Sequence, residues 1–85
     1  MKYRLLVSWE AVEFIEKLAK ADRQKLRQRL LAIAEYPQHF SDYSEADEVG
    51  RRIDVHICGK FAVKYWEDSA DKDLKIVRII SSDRR

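Results

Sequence analysis

Apolar residues recur along this chain at two different spacings, and the change from one to the other divides it into a helical part and a strand part. Tyr3 to Ser8 is rich in strand formers and alternates loosely, with Tyr3, Leu5 and Val7 on one side, which predicts a first strand over residues 3–8. A helical period begins directly after Ser8, a residue whose hydroxyl suits an N-cap. Ala11, Phe14, Ile15 and Leu18 then fall at i, i+3, i+4 and i+7, predicting an amphipathic helix that ends near Lys20. Asp22 is the expected N-cap of a second helix, whose apolar stripe is Leu26, Leu30 and Ile33. Pro37 disfavours helix at Tyr36 and should close it there. The joint between the two is short enough for an antiparallel helical hairpin. Residues 37–50 show no period and carry Asp42, Glu45, Asp47 and Glu48; they are expected to form an acidic loop.

Beyond Gly50 the period becomes two. Ile53, Val55 and Ile57 alternate with Arg52, Asp54, His56 and Cys58, predicting a half-buried strand with its apolar set facing inward. Cys58-Gly59 is the expected hairpin turn, with glycine supplying positive φ. Phe61, Val63 and Tyr65 form the next inward set, and residues 67–73 read as a polar turn. The last strand spans Leu74 to Ser81. Its residues Leu74, Ile76, Val77, Ile79 and Ile80 leave so little polar surface that both of its faces should be covered. The expected fold is therefore α+β, in the order β-α-α-β-β-β. A helical hairpin packs on one face of a small, mainly antiparallel sheet, because neither helix can bury its stripe alone. The other face, carrying Arg52, His56 and Lys64, should be polar and open.

Composition narrows the class. Eighty-five residues allow one domain over residues 1–85, and a hydrophobic share of 46% supports a packed core. Seventeen basic against fifteen acidic residues leave +2, too little for a general nucleic-acid signature, so the placement of charge matters more than its total. One cysteine, Cys58, excludes an internal disulfide framework and fits a reducing compartment. With no apolar leader and no stretch long enough to span a bilayer, a cytoplasmic protein without a membrane partner is expected. Cys58 and His56 lack the further ligands of a zinc site, so neither metal nor cofactor is expected. His39, beside Pro37, suggests no role, and Trp9 and Trp66 suit core or partner contacts better than base stacking.

The assembled pattern resembles the RelE/ParE toxins of type II toxin–antitoxin systems. The resemblance rests on the strand that ends in Ser8, the helix with Ala11 and Leu18, and the basic, leucine-rich second helix closed by Pro37. It continues through Gly50-Arg51-Arg52-Ile53, the Gly59 hairpin, Phe61-Ala62-Val63-Lys64-Tyr65 and the ending Ile79-Ile80-Ser81-Ser82-Asp83-Arg84-Arg85. It covers essentially the whole chain, through element order and spacing rather than any single specific motif. It implies a toxin held in check by a cognate antitoxin. RelE-like members cut messenger RNA on the ribosome, whereas ParE-like members inhibit DNA gyrase without a nuclease site.

Metal-free RNA cleavage needs a base for the 2′-hydroxyl, an acid for the 5′-oxygen and cations for the charge that develops on phosphorus. The resemblance places Arg52, Arg84 and Arg85 as catalytic candidates, and His56 joins them as the titratable side chain nearest the sheet face, with Arg51, Lys64 and Arg78 as RNA or phosphate contacts. Singly, each of these is an ordinary solvated residue on a strand; together they point to one charged surface. Asp54 stands where the nucleases often carry a basic residue, and the final strand is followed by arginines without a tyrosine. Both departures favour the gyrase inhibitor, or a member that only binds its antitoxin, whereas the open face with Arg52, His56 and Lys64 favours translation inhibition by ribosome-dependent cleavage of messenger RNA, the reading placed first.

Overall fold

The computed structural model describes residues 3–82. Its elements are β1 (Arg4–Val7), α1 (Trp9–Glu16), α2 (Lys20–Glu35), α3 (Pro37–Phe40), β2 (Tyr43–Ala46), β3 (Arg52–Cys58), β4 (Phe61–Asp68) and β5 (Asp73–Ser81). The five strands form one sheet in the order β1-β5-β4-β3-β2, with every pairing antiparallel except β1 with β5. This is the expected α+β architecture, with the helices on one face. No helix among the described residues is long and apolar enough to cross a membrane.

Ser8 caps α1 as its chemistry suggests, its Oγ accepting from the Ala11 amide at 3.1 Å. The same hydroxyl donates to the Val77 carbonyl, and the Ser8 amide donates to the carbonyl of Ile76, so the start of α1 is riveted to β5. α1 stops at Glu16 rather than near Lys20, and α2 begins at Lys20 on Ala19, which offers no side-chain cap. Asp22 therefore lies inside the first turn of α2 rather than capping it. There its charge complements the helix dipole and meets Lys60 at 3.5 Å.

The stretch over residues 37–50 is not a bare loop. Pro37 takes the first position of α3, where its missing N–H costs nothing, and Tyr43–Ala46 forms the short edge strand β2. Four residues that are all exposed, with no apolar alternation, give no periodic signal. The hairpin turn is Gly59-Lys60 rather than Cys58-Gly59, since Cys58 pairs with Phe61 and Gly59 has φ +61°.

The core joins Ala11, Ile15, Leu26, Leu30, Ile33 and Ala34 of the helices to Phe61, Val63, Tyr65, Leu74, Ile76 and Ile79 of β4 and β5. A β-bulge explains why the last strand buries residues out of step. Lys64 opposes Arg78 while Tyr65 opposes Ile76, so Val77 is the extra residue and both Ile76 and Ile79 point at the helices. Only that face of β5 is fully covered; Ile80 on the other remains 36% exposed.

The faces of β3 are opposite to expectation. Register pairs Asp54 with Tyr65, His56 with Val63 and Cys58 with Phe61, all of them core positions, so the polar set faces the helices. Ile53, Val55 and Ile57 lie on the open face. Period two fixes which residues share a face but not which face is inward. Here the polar set finds partners under α2 and α3, while Val55 is fully covered between its cross-strand neighbours Tyr43 and Lys64.

Candidate functional site

The open face of the sheet carries a cleft of about 520 Å³ between the β2–β3 turn, the first turn of α1 and the bulge of β5. Arg51, Lys64 and Arg78, the three residues read from the sequence as phosphate contacts, all line it, with Ile53 and Val77 beneath. Each is brought there by local structure. Lys64 alternates outward from Val63 and Tyr65, and the bulge sets Arg78 directly opposite Lys64. Arg51 is delivered by the turn: the Asp47 carboxylate accepts from the amides of Val49 and Arg51 and from Arg51 Nε, with Gly50 at φ +83° closing the bend.

The same cleft is lined by Glu10, Glu45, Asp47 and Glu48. Lys64 Nζ lies 2.8 Å from Glu45, Arg51 Nε 2.9 Å from Asp47, and an Arg78 guanidinium nitrogen 3.8 Å from Glu10. All three cations are thus held by carboxylates, and an incoming phosphate has to take their place. Arg51 also stacks 4.3 Å above the Trp66 ring, which Lys75 contacts at 4.6 Å.

Hydrogen bonds from the Arg51 backbone amide, its side chain and the Val49 amide hold the Asp47 carboxyl below the usual range. A carboxyl lowered by folding contributes stability above its unfolded value, and that contribution is lost as pH falls through the lower folded value. The turn should therefore be indifferent to pH through the neutral range and loosen only below about pH 4. In a Trp9→Phe background, Trp66 fluorescence reports this as a flat signal above that point and a transition below it as Arg51 is released.

Of the catalytic candidates, Arg52 and His56 lie away from this cleft. Arg52 lies on the helix side of β3, its guanidinium 3.0 Å from the buried Asp54, so it and Lys64 are on opposite faces. Asp54 also accepts from Ser41 Oγ at 2.7 Å, which makes it a structural anchor of the β2 approach rather than a charge facing RNA. His56 is buried beneath α2 and has no free ring nitrogen. Arg29 can only donate, so Nε2 accepts from it at 2.7 Å and Nδ1 donates to Asp42 at 3.1 Å. Phe40 packs against the ring. The polar pattern that suggested an open-face histidine belongs to this buried network. Arg84 and Arg85 lie outside the described residues.

Glu45 is the residue the sequence does not single out. On an unrecognised edge strand it reads as one acid among several; pairing β2 with β3 sets it beside Lys64 on the open face. Elsewhere, Asp68, Asp71 and Asp73 bring carboxylate oxygens within 4.8 Å of one another at the β4–β5 turn. Two of them are already held by cations, Asp68 by Lys75 and Asp73 by Arg4.

No family model matches the sequence, and no curated protein aligns with it. Solved structures do match the fold. The Mycobacterium tuberculosis toxin–antitoxin complex RelBE2 superposes with a TM-score of 0.82 at 13% identity, covering 95% of this chain and 99% of that one. The archaeal RelE–RelB complex of Pyrococcus horikoshii OT3 gives 0.78 at 22% identity over the whole of both chains. The intact E. coli RelBE toxin–antitoxin complex gives 0.73 at 15%, covering 96% and 99%. The chain has the fold of the RelE toxins.

Proposed function

We propose that this chain is the toxin of a toxin–antitoxin pair, neutralised by an antitoxin protein, and that it acts in the cytoplasm by metal-independent cleavage of messenger RNA on the ribosome. The observation that carries the reading is the whole-chain likeness to RelE toxins solved with RelB antitoxins. The open-face cleft supplies chemistry consistent with it. A scissile phosphate seated on Lys64, Arg51 and Arg78 displaces their carboxylates. Glu45, released from Lys64, then accepts the proton of the adjacent 2′-hydroxyl as that oxygen attacks phosphorus. The three cations stabilise the added negative charge, and the 5′-oxygen leaves with a proton from water. The products are a 2′,3′-cyclic phosphate and a 5′-hydroxyl.

The test is cleavage in a purified translation system read by primer extension. Discrete, ribosome-dependent cuts are expected from the native chain, and Lys64→Ala should slow them about 10²-fold, the cost of removing one preorganised charge donor. Uncut messenger RNA would overturn the nuclease reading. One observation favours a second: the cleft is lined by four carboxylates against three cations, an unwelcoming surface for a polyanion. A ParE-like inhibitor of DNA gyrase needs no phosphate seat, and inhibition of supercoiling with intact RNA would select it. A chain inert in both assays would retain only the binding of its antitoxin.

A further inference from the structure

The outward residues of the sheet fall into rows that cross its strands. One row runs Tyr43, Val55, Lys64 and Arg78, each opposite the next by register. A second, two residues further along β3, runs Ile57, Ala62 and Ile80. Neighbouring strands lie about 4.8 Å apart, so Tyr43 stands about 10 Å from Lys64 at the level of the backbone. The two sides of the cations differ in character. Toward the β2–β3 turn they are flanked by Asp47 and Glu48. Level with Lys64, and beyond it toward the β3–β4 hairpin, the open face becomes an apolar shelf: Tyr43 is 52% exposed, and Ile57 and Ile80 are exposed as well. Tyr43 covers Val55, yet its hydroxyl has no hydrogen-bond partner among the described residues. The shelf is thus continuous with the phosphate seat and carries an aromatic ring at its edge.

We infer that this shelf seats the nucleobase of the nucleotide 5′ to the cut, with the ring of Tyr43 stacked on it. The inference rests on the proposed cleavage and gives that same site a means of choosing where to cut. The chemistry of the attack fixes which base is near. Glu45 takes the proton of a 2′-hydroxyl, and the ribose bearing that hydroxyl carries its base on the neighbouring carbon. Tyr43 lies two residues from Glu45 on the same face of β2, about 7 Å along the strand. With the phosphate on Lys64 and the 2′-hydroxyl at Glu45, the base of that ribose comes within reach of the Tyr43 ring. Every base offers an uncharged π-face that stacks on an aromatic side chain. Purines offer the larger one, so a purine is the favoured occupant.

The test uses purified ribosomes programmed with messenger RNAs that differ only in the nucleotide 5′ to a mapped cut. The native chain should cut several-fold faster after a purine than after a pyrimidine. Tyr43→Leu keeps Val55 covered but has no π-face, and should bring that ratio to about one; Tyr43→Phe should preserve it. A second measurement needs no cleavage. A 2′-deoxy dinucleotide of adenine, which lacks the attacking hydroxyl, is titrated to millimolar concentration into the isotopically labelled full chain. Ring-current shifts are expected at Tyr43 and the Ile57 methyl groups, and Tyr43→Leu should weaken binding about tenfold, as for loss of one stacked base. An unchanged purine ratio in Tyr43→Leu, no dinucleotide shifts, or shifts confined to other surfaces would each overturn the inference. So would concentration-dependent shifts at Tyr43 without dinucleotide, which would give the shelf to a second copy of the chain. Uncut messenger RNA with the dinucleotide still seated on Tyr43 would count against the cleavage reading alone, so the two failures are distinguishable.

Discussion

Glu45→Gln is expected to slow ribosome-dependent cleavage by about 10²–10⁴-fold, the usual contribution of a positioned general base, while leaving the fold intact. Glutamine keeps the size and the hydrogen-bonding reach of glutamate but has no useful basicity. The side chain of Glu45 is 41% exposed, so little packing is at stake. The substitution also removes the carboxylate that holds Lys64, which frees a cation for phosphate. Binding of substrate should therefore tighten or stay level while the cleavage step falls, a split that simple damage to the site would not produce. Single-turnover cleavage on stalled ribosomes, with affinity measured alongside, reads both quantities. An unchanged cleavage step would remove Glu45 from the mechanism.

Tyr65→Ala should be the most damaging single change to the fold, costing about 3–5 kcal/mol by loss of a large buried ring. Tyr65 is fully buried on β4, and its hydroxyl donates to the Pro37 carbonyl at 2.6 Å, tying the start of α3 to the sheet. Burial, with the nearby Asp54 charge, pushes its hydroxyl pKa upward, so it remains a donor throughout the working pH range. Tyr65→Phe keeps the ring and leaves the carbonyl unpaired, at a cost of about 1–3 kcal/mol. For a domain of this size, total stability is on the order of 4–13 kcal/mol, so the alanine variant removes a large part of it. Urea unfolding of the two variants beside the native chain checks both values. Equal midpoints for the two would mean that the hydroxyl, not the ring, carries the stability.

The helices, the strand-rich second half and the overall layering were legible because long periodic segments report their own burial. Ser8, Ala11, Leu26 and Leu30 do in the structure what their spacing implies. The edge strand β2 was not legible, since four exposed residues need no apolar alternation to pair with β3. Nor was the orientation of β3, because Asp54 and His56 can face inward only when Ser41, Asp42 and Arg29 come from distant positions to satisfy them. Alternation alone sets Arg52 and His56 on one face with Lys64, whereas the register puts them on the helix side of β3. Arg51, Lys64 and Arg78 line one cleft, and the bulge at Val77 that aligns Arg78 with Lys64 leaves no mark in the sequence.

The cleft's charge balance sets the terms of the functional question. Its cations are neutralised at rest by Glu45, Asp47 and Glu10, so non-specific RNA should bind weakly and engagement should depend on a substrate held in place by the ribosome. The most direct test is the chemistry of the cut ends after the native chain acts on messenger RNA programmed into purified ribosomes. The cleft as described predicts ribosome-dependent fragments with a 2′,3′-cyclic phosphate on one side and a 5′-hydroxyl on the other. Intact RNA, or fragments ending in a 3′-hydroxyl and a 5′-phosphate, would contradict it.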